Sequence, residues 1–167
     1  MVIGGWRGPG WRVVDASPRN SGEIRRWVTQ AVVRHGCPVD ADDVALVVDE
    51  LFVNAVVHGP AEGRVLVGYC LRRVGVRVVV CDGGGPGAPR LCQPDSQSVS
   101  RRGLQIVDTL TARWGHFRIG NARVVWCDLG EPLRVPAADA WAWLRRVLSV
   151  DSLSVPVRPP VTTVPAW

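Results

Sequence analysis

Hydrophobic positions recur at three- and four-residue steps in three stretches of the chain, and this spacing predicts three amphipathic helices. They cover residues 18–35, 41–58 and 103–114. Ser17 precedes a proline at the start of the first helix, and Asp40 stands just before the second, so we expect both side chains to act as N-caps. Two helices therefore lie early in the chain and one lies much later.

Short stretches rich in valine and other β-branched residues predict five strands. They cover residues 11–15, 65–71, 76–81, 116–119 and 123–129. A four-residue connection joins the second strand to the third, and Gly120-Asn121 joins the last two, so each of these couples is expected to form a hairpin. The order of the elements predicts an α/β two-layer sandwich, a mixed sheet with helices on one face.

The remaining segments show no regular pattern. Residues 82–100 are rich in glycine, proline and serine, and a loop of this length inside a compact domain is usually functional or mobile. Residues 1–10 are expected to be a flexible N-terminus, and residues 11–130 are expected to form one domain. A short helical segment over 131–150 carries two tryptophans, and a proline-rich tail over 151–167 is expected to be disordered.

Composition narrows the class of protein. Hydrophobic residues make up 47% and charged residues 21% of the 167 positions, as in ordinary globular proteins. The net charge is +5 and all twenty basic residues are arginines, but they are spread along the chain and no DNA-reading helix is recognisable. The five cysteines show no C-x-x-C spacing, which favours reduced thiols over a disulfide framework or a zinc site. With no apolar stretch of membrane-spanning length, we expect a cytoplasmic protein that binds neither nucleic acid nor membranes.

The second predicted helix carries three polar residues on an otherwise apolar segment. Glu50, Asn54 and His58 are spaced by four residues, so they follow one side of the helix. An asparagine carbonyl is a suitable ligand for Mg²⁺, and a glutamate one turn away can orient or deprotonate an attacking group. A solvated polar stripe explains the same spacing, and taken alone this simpler interpretation is preferred.

Two further segments are candidates for ligand binding. The strand before Asp82 delivers that carboxylate into a glycine-rich turn, where it can accept a hydrogen bond from an exocyclic amine such as that of adenine. The third predicted helix follows Arg101-Arg102 and begins at Gly103-Leu104, and N–H groups at a helix start with guanidinium groups beside them suit a polyphosphate. An ordinary Asp-Gly turn and a helix start with exposed arginines are the alternatives.

In this order the three segments resemble the N-box, G1-box and G2-box of the histidine-kinase-like (GHKL) ATPase superfamily. Residues 47–59, VVDELFVNAVVHG, are similar to the N-box almost throughout, and residues 82–87 and 101–104 match the other two boxes in part. The small stand-alone anti-sigma-factor serine kinases are the members that the sequence resembles most. The resemblance covers residues 11–129 and implies a Bergerat-type ATP-binding fold.

The resemblance also implies roles for individual residues. Glu50 is expected to be the general base or the acid that orients a water molecule, and Asn54 the Mg²⁺ ligand of a bound ATP. Asp82 is expected to hold the adenine amino group, and residues 94–102 to form a lid over the nucleotide. The other residues expected at the nucleotide are His58, Gly84, Gly87, Arg101, Arg102, Gly103 and Leu104.

Two positions depart from the family pattern. Pro86 occupies the last glycine position of the G1-box, and Arg101 stands where the G2-box has its first glycine. The preferred function is a serine/threonine protein kinase that acts as an anti-sigma factor, phosphorylating an antagonist protein and binding a sigma factor, with a homodimer implied by the resemblance. The alternative is a catalytically weak or inactive nucleotide-binding module that regulates a partner by contact.

Overall fold

The computed structural model of the chain describes residues 6–60, 62–84 and 103–131. Within these residues three α-helices lie on one face of a five-stranded sheet. The strands are β1 Trp6–Asp15, β2 Arg64–Arg72, β3 Gly75–Asp82, β4 Arg113–Ile119 and β5 Ala122–Gly130. The helices are α1 Ser21–Arg34, α2 Ala41–His58 and α3 Gly103–Leu110. The predicted two-layer α/β sandwich with helices on one face is confirmed.

The sheet is antiparallel throughout, so the prediction of a mixed sheet was wrong in this respect. The strand order is β1-β2-β3-β5-β4, and every neighbouring pair runs antiparallel. The connection through α3 brings β4 back parallel to β3, which would give a mixed sheet if these two strands were neighbours. Because β5 inserts between them and runs opposite to both, all the ladders are antiparallel.

The main core lies between the helices and the sheet, and α2 is its central element. This helix packs against α1, α3 and the sheet. Its apolar residues fall at helical spacing and are buried, with Phe52 and Leu51 among the largest side chains in the core. Each buried side chain of this size contributes roughly 1.5–3 kcal/mol of burial free energy. This packing holds the polar side of α2 in a defined orientation relative to the sheet.

The helix starts match the sequence prediction for α2 but not for α1. The Asp40 carboxylate accepts hydrogen bonds from the backbone N–H groups of Asp42 at 2.7 Å and Asp43 at 3.3 Å, so its predicted role as N-cap is confirmed. Ser17 makes no side-chain cap bond. The proline after it begins a single 3₁₀ turn, and α1 itself starts only at Ser21.

Two further boundaries differ from the prediction. The first strand begins at Trp6 rather than Trp11, with a register shift between Trp6 and Pro9. The third helix ends at Leu110 rather than at residue 114, because Arg113 pairs with Asp128 in the sheet and starts β4. In the part of the chain that the structure describes, no helix is long and apolar enough to cross a membrane.

Candidate nucleotide-binding site

The polar side of α2 runs beside its buried stripe. Glu50 and Asn54 are half-buried, and His58, the last residue of the helix, is exposed. The helix buries Leu51 and Ala55, so the residue just before each of them points to the edge of the core rather than into it. The structure thus places the three residues along one side of α2, as their spacing predicted.

Asn54 carries an unpaired polar atom. Its amide nitrogen is buried, yet it has no hydrogen-bond partner among the described residues. A buried donor without a partner costs about 1–3 kcal/mol, so such atoms are rare in folded proteins and call for an explanation. A bound ligand that accepts a hydrogen bond from the nitrogen would remove this cost. The carbonyl oxygen of the same amide is chemically suited to Mg²⁺, so the residue fits the group that the sequence implies.

Glu50 has an electrostatic environment suited to proton transfer. Burial raises the pKa of its carboxyl group above the ordinary value, and the neighbouring negative charge of Asp49 raises this pKa further. Asp49 is itself held in place, since it accepts a hydrogen bond from the Ser21 hydroxyl and lies 3.8 Å from the Arg25 guanidinium. A carboxylate with a raised pKa is a better proton acceptor near neutral pH than an ordinary one.

Asp82 ends β3 in a buried ion pair that the sequence analysis missed. The guanidinium of Arg123 on β5 donates two hydrogen bonds to its Oδ2, from Nε at 3.0 Å and from Nη2 at 2.7 Å. The backbone N–H of Gly84 donates to its Oδ1 at 2.7 Å. Gly84 has a φ of +79°, and a Cβ added there would overlap the carbonyl oxygen of Asn121, so only glycine fits at this position.

A sequence signal for the ion pair does exist. Residues 77–82 read RVVVCD and residues 123–128 read RVVWCD, so the two central strands carry nearly the same hexapeptide. When such segments pair antiparallel over their whole length, each arginine meets the aspartate of the other strand. The register does pair them in this way, with Arg77 opposite Asp128 and Asp82 opposite Arg123.

The fold brings the end of α2 next to Asp82. A Cβ added at Gly59 would lie 3.5 Å from the Cβ of Asp82, and a Cβ added at Gly83 would lie 3.0 Å from Cγ of Pro60. The C-terminal end of α2 and the buried carboxylate that ends β3 therefore lie next to each other. Residues that are far apart in the sequence converge there, as a ligand site requires.

The start of α3 is the third segment that the sequence predicts at the site. Gly103 is its first residue, and Leu104 is half-buried and packs against the main core. The α3 helix also packs against α2, the helix that carries Asn54. The predicted site residues Gly87, Arg101 and Arg102 lie outside the described residues. The predicted lid and the two C-terminal segments from residue 132 onward lie outside them as well.

Comparison with known proteins identifies the family and the fold of the chain. The profile of the histidine kinase-like ATPase domain family matches residues 14–124, and the chain belongs to this family. Its fold is similar to a structure of the RsbU and RsbW domains of Rv1364c from Mycobacterium tuberculosis, with a TM-score of 0.52 and 18% sequence identity. That match covers 78% of this chain and 35% of the other, so the chain spans about a third of that protein, and the likeness concerns the fold alone. No curated protein matches the chain.

Proposed function

We propose that this chain is an ATP- and Mg²⁺-binding regulatory protein that acts as a serine/threonine protein kinase. The observation that carries the proposal is the buried amide nitrogen of Asn54, which has no hydrogen-bond partner among the described residues. It lies one helical turn from Glu50 on a helix that ends beside Asp82. Membership of the histidine kinase-like ATPase family supports a nucleotide as the ligand. The partners implied by the sequence are an antagonist protein, which is phosphorylated, and a sigma factor, which is bound. A homodimer and a cytoplasmic location are further parts of the same proposal.

Different residues of the chain would contact different parts of the nucleotide. The carbonyl oxygen of Asn54 would hold the metal ion. The acceptor position on Oδ1 of Asp82 that no described residue uses would accept a hydrogen bond from the amino group of the base. The N–H groups at the start of α3 would donate to phosphate oxygens. When bound, Mg²⁺-ATP supplies the phosphoryl group and the cation that neutralises its charge. The chain's own contribution is then mostly positioning and electrostatic stabilisation.

Glu50 would act as the general base that accepts the proton of the attacking serine hydroxyl. The serine oxygen of the antagonist protein would bond to the γ-phosphorus as the bond from that phosphorus to ADP breaks. The carboxylate of Glu50 would accept the proton that the serine hydroxyl loses. Its raised pKa favours this role, because proton acceptance is most effective when the pKa of the base approaches the working pH. The proton would stay on the Glu50 carboxyl until the phosphoserine product departs and would then be released to water.

A second candidate function is a nucleotide-binding module that regulates its partner by contact without phosphoryl transfer. Pro86 and Arg101 favour it, because these residues replace glycines that the family uses next to the nucleotide. The two functions share the binding site and differ only in turnover.

Calorimetry of ATP binding with and without Mg²⁺ tests the shared site. We expect the wild type to bind ATP more tightly with Mg²⁺, and Asn54→Ala to lose both the binding and the Mg²⁺ dependence. Val53→Ala is the matched control, because Val53 is the adjacent residue of α2 and is 36% exposed. It is expected to bind like the wild type. A wild type that binds no ATP under either condition would rule out both candidate functions.

Phosphoryl transfer separates the two candidates. Wild type and Glu50→Gln are incubated with radioactively labelled ATP and a protein extract of the source cells, and both labelled protein and released ADP are measured. The kinase proposal predicts labelled protein with the wild type only, and equal ATP affinity for both forms. Normal binding without any labelling by the wild type would favour the contact module.

A further inference from the structure

Two buried Arg–Asp pairs join β3 to β5, but only one of them lies at the candidate site. Asp82 pairs with Arg123, and five residues earlier on β3 Arg77 pairs with Asp128, 2.7 Å apart in each case. Because side chains alternate along a strand, the two pairs lie on opposite faces of the sheet. Asp82 shares the helix face with Val78 and Val80, whereas Arg77 lies on the other face and stacks on the ring of Trp126.

The hydrogen bonds of Asp82 leave little acceptor capacity unused. An ionised carboxylate offers about four lone-pair sites. Arg123 donates twice to Oδ2, which fills that oxygen, and the Gly84 N–H donates once to Oδ1. Among the described residues, one acceptor position on Oδ1 is therefore left. The two donors of the Arg123 guanidinium, Nε and Nη2, form a rigid planar fork. Because both donate to Oδ2, this fork fixes the position of that oxygen and thereby the plane of the carboxylate.

We propose that Arg123 is a positioning residue that sets the base selectivity of the nucleotide site. It holds the Asp82 carboxylate so that one acceptor position faces the base, and this position favours an exocyclic amine over a carbonyl oxygen. The inference rests on the proposed function, since it takes Asp82 as the residue that contacts the base. A 6-aminopurine donates a hydrogen bond to that position, whereas a 6-oxopurine places an acceptor against an acceptor.

The same geometry explains why Arg123 matters beyond its contribution to folding. Without the guanidinium, the described residues hold the carboxylate only through the Gly84 N–H bond to Oδ1. It can then turn more easily about its last side-chain bond and offer other lone pairs to water or to either kind of base. Removing the guanidinium should therefore reduce the discrimination between bases more than it reduces nucleotide binding itself. A purely structural ion pair would change stability and leave the discrimination unaltered.

The test compares ATP with inosine triphosphate, which has a carbonyl oxygen in place of the amine. Calorimetry with Mg²⁺ is done on the full chain, at a temperature where every variant is folded. One hydrogen bond gained against one repulsive contact predicts that the wild type favours ATP by roughly ten- to a hundredfold. Arg123→Met is expected to lower this ratio to less than about threefold, and Arg123→Lys to an intermediate value, because an ammonium keeps the charge without the fork.

Arg77→Met is the matched control. It removes the arginine of the Arg77–Asp128 pair, which joins the same two strands, and Asp128 keeps a hydrogen bond from Arg113 at 2.9 Å. This variant is expected to lose stability and to keep the wild-type ratio. If it lost the ratio as well, the selectivity would depend on the stability of the sheet and not on Arg123, and the inference would be wrong.

The remaining outcomes are distinguishable. Absence of ATP binding by the wild type would overturn the proposed function itself. A wild type that binds both nucleotides equally, or an Arg123→Met protein that keeps the full ratio, would leave the proposed function intact and overturn this inference. If Arg123→Met does not fold, Arg123→Lys decides, because an unchanged ratio in that variant contradicts a role for the guanidinium fork.

Discussion

Replacing Asn54 by alanine should make the ligand-free protein more stable while it abolishes ATP binding. The buried amide nitrogen has no partner among the described residues, and removing such a donor relieves about 1–3 kcal/mol. Alanine also has a higher helix propensity than asparagine, by up to about 0.7 kcal/mol per residue. The packing lost is small, because the side chain is only half-buried. The net expectation is a gain of about 1–3 kcal/mol in the free energy of unfolding.

For a chain of this size, 1 kcal/mol shifts the melting temperature by about 2–4 °C, so Asn54→Ala is expected to melt roughly 3–10 °C above the wild type. Urea denaturation gives the free energy directly, and both measurements are made without nucleotide. Val53→Ala controls for helix propensity, because it makes a comparable change at the neighbouring, partly exposed residue of α2. An Asn54→Ala protein no more stable than Val53→Ala would show that the amide nitrogen has a partner and would remove the main support for the ligand site. With saturating Mg²⁺-ATP the order should reverse, since only the wild type gains ligand stabilisation.

Three further changes test other parts of the structure. Because the pKa of Glu50 is raised in the folded state, ionisation of its carboxyl group lowers the free energy of unfolding; this loss is absent below the ordinary pKa of a glutamate carboxyl and complete above the higher pKa of the folded state. The Glu50→Gln protein should therefore melt above the wild type at about pH 8 but not at about pH 4. Equal differences in melting temperature at both pH values would contradict the raised pKa. Asp128→Ala leaves Arg77 buried and unpaired, so urea denaturation should show a loss of about 3–5 kcal/mol, and a loss below about 1 kcal/mol would contradict the buried pair. Gly84→Ala forces an alanine into a φ of +79° against the Asn121 carbonyl, so calorimetry should show weaker ATP binding; wild-type affinity in this variant would place the base elsewhere.

The parts of the fold that depend on local patterns were predictable from the sequence. The α2 helix and its Asp40 cap follow from spacing and from a side chain that reaches backbone groups two and three residues away. The alignment of Glu50 with Asn54 follows from the helical repeat alone. Hairpins are also local, and both of the predicted ones occur.

The parts that depend on long-range pairing were not predictable in the same way. The insertion of β5 between β3 and β4 decides that the sheet is antiparallel, and no local pattern reports it. The end of α3 at Leu110 depends on Arg113 pairing with a residue fifteen positions away, and the partner of Asp82 lies forty-one positions away. For the candidate site this means that the α2 residues could be named from periodicity, whereas Arg123 required the strand register.

The matching hexapeptides 77–82 and 123–128 have a consequence for how the sheet can assemble. Placed antiparallel and in full register, they put each arginine opposite an aspartate at both ends. A parallel alignment would instead set arginine against arginine and aspartate against aspartate. A slip of two residues would separate both pairs at once, and a slip of one would move the side chains to the wrong faces. Each unpaired buried charge costs about 3–5 kcal/mol, which is comparable to the roughly 5–15 kcal/mol that stabilises a whole domain. The charge pattern of the two segments thus favours one alignment of β3 with β5 and destabilises the others.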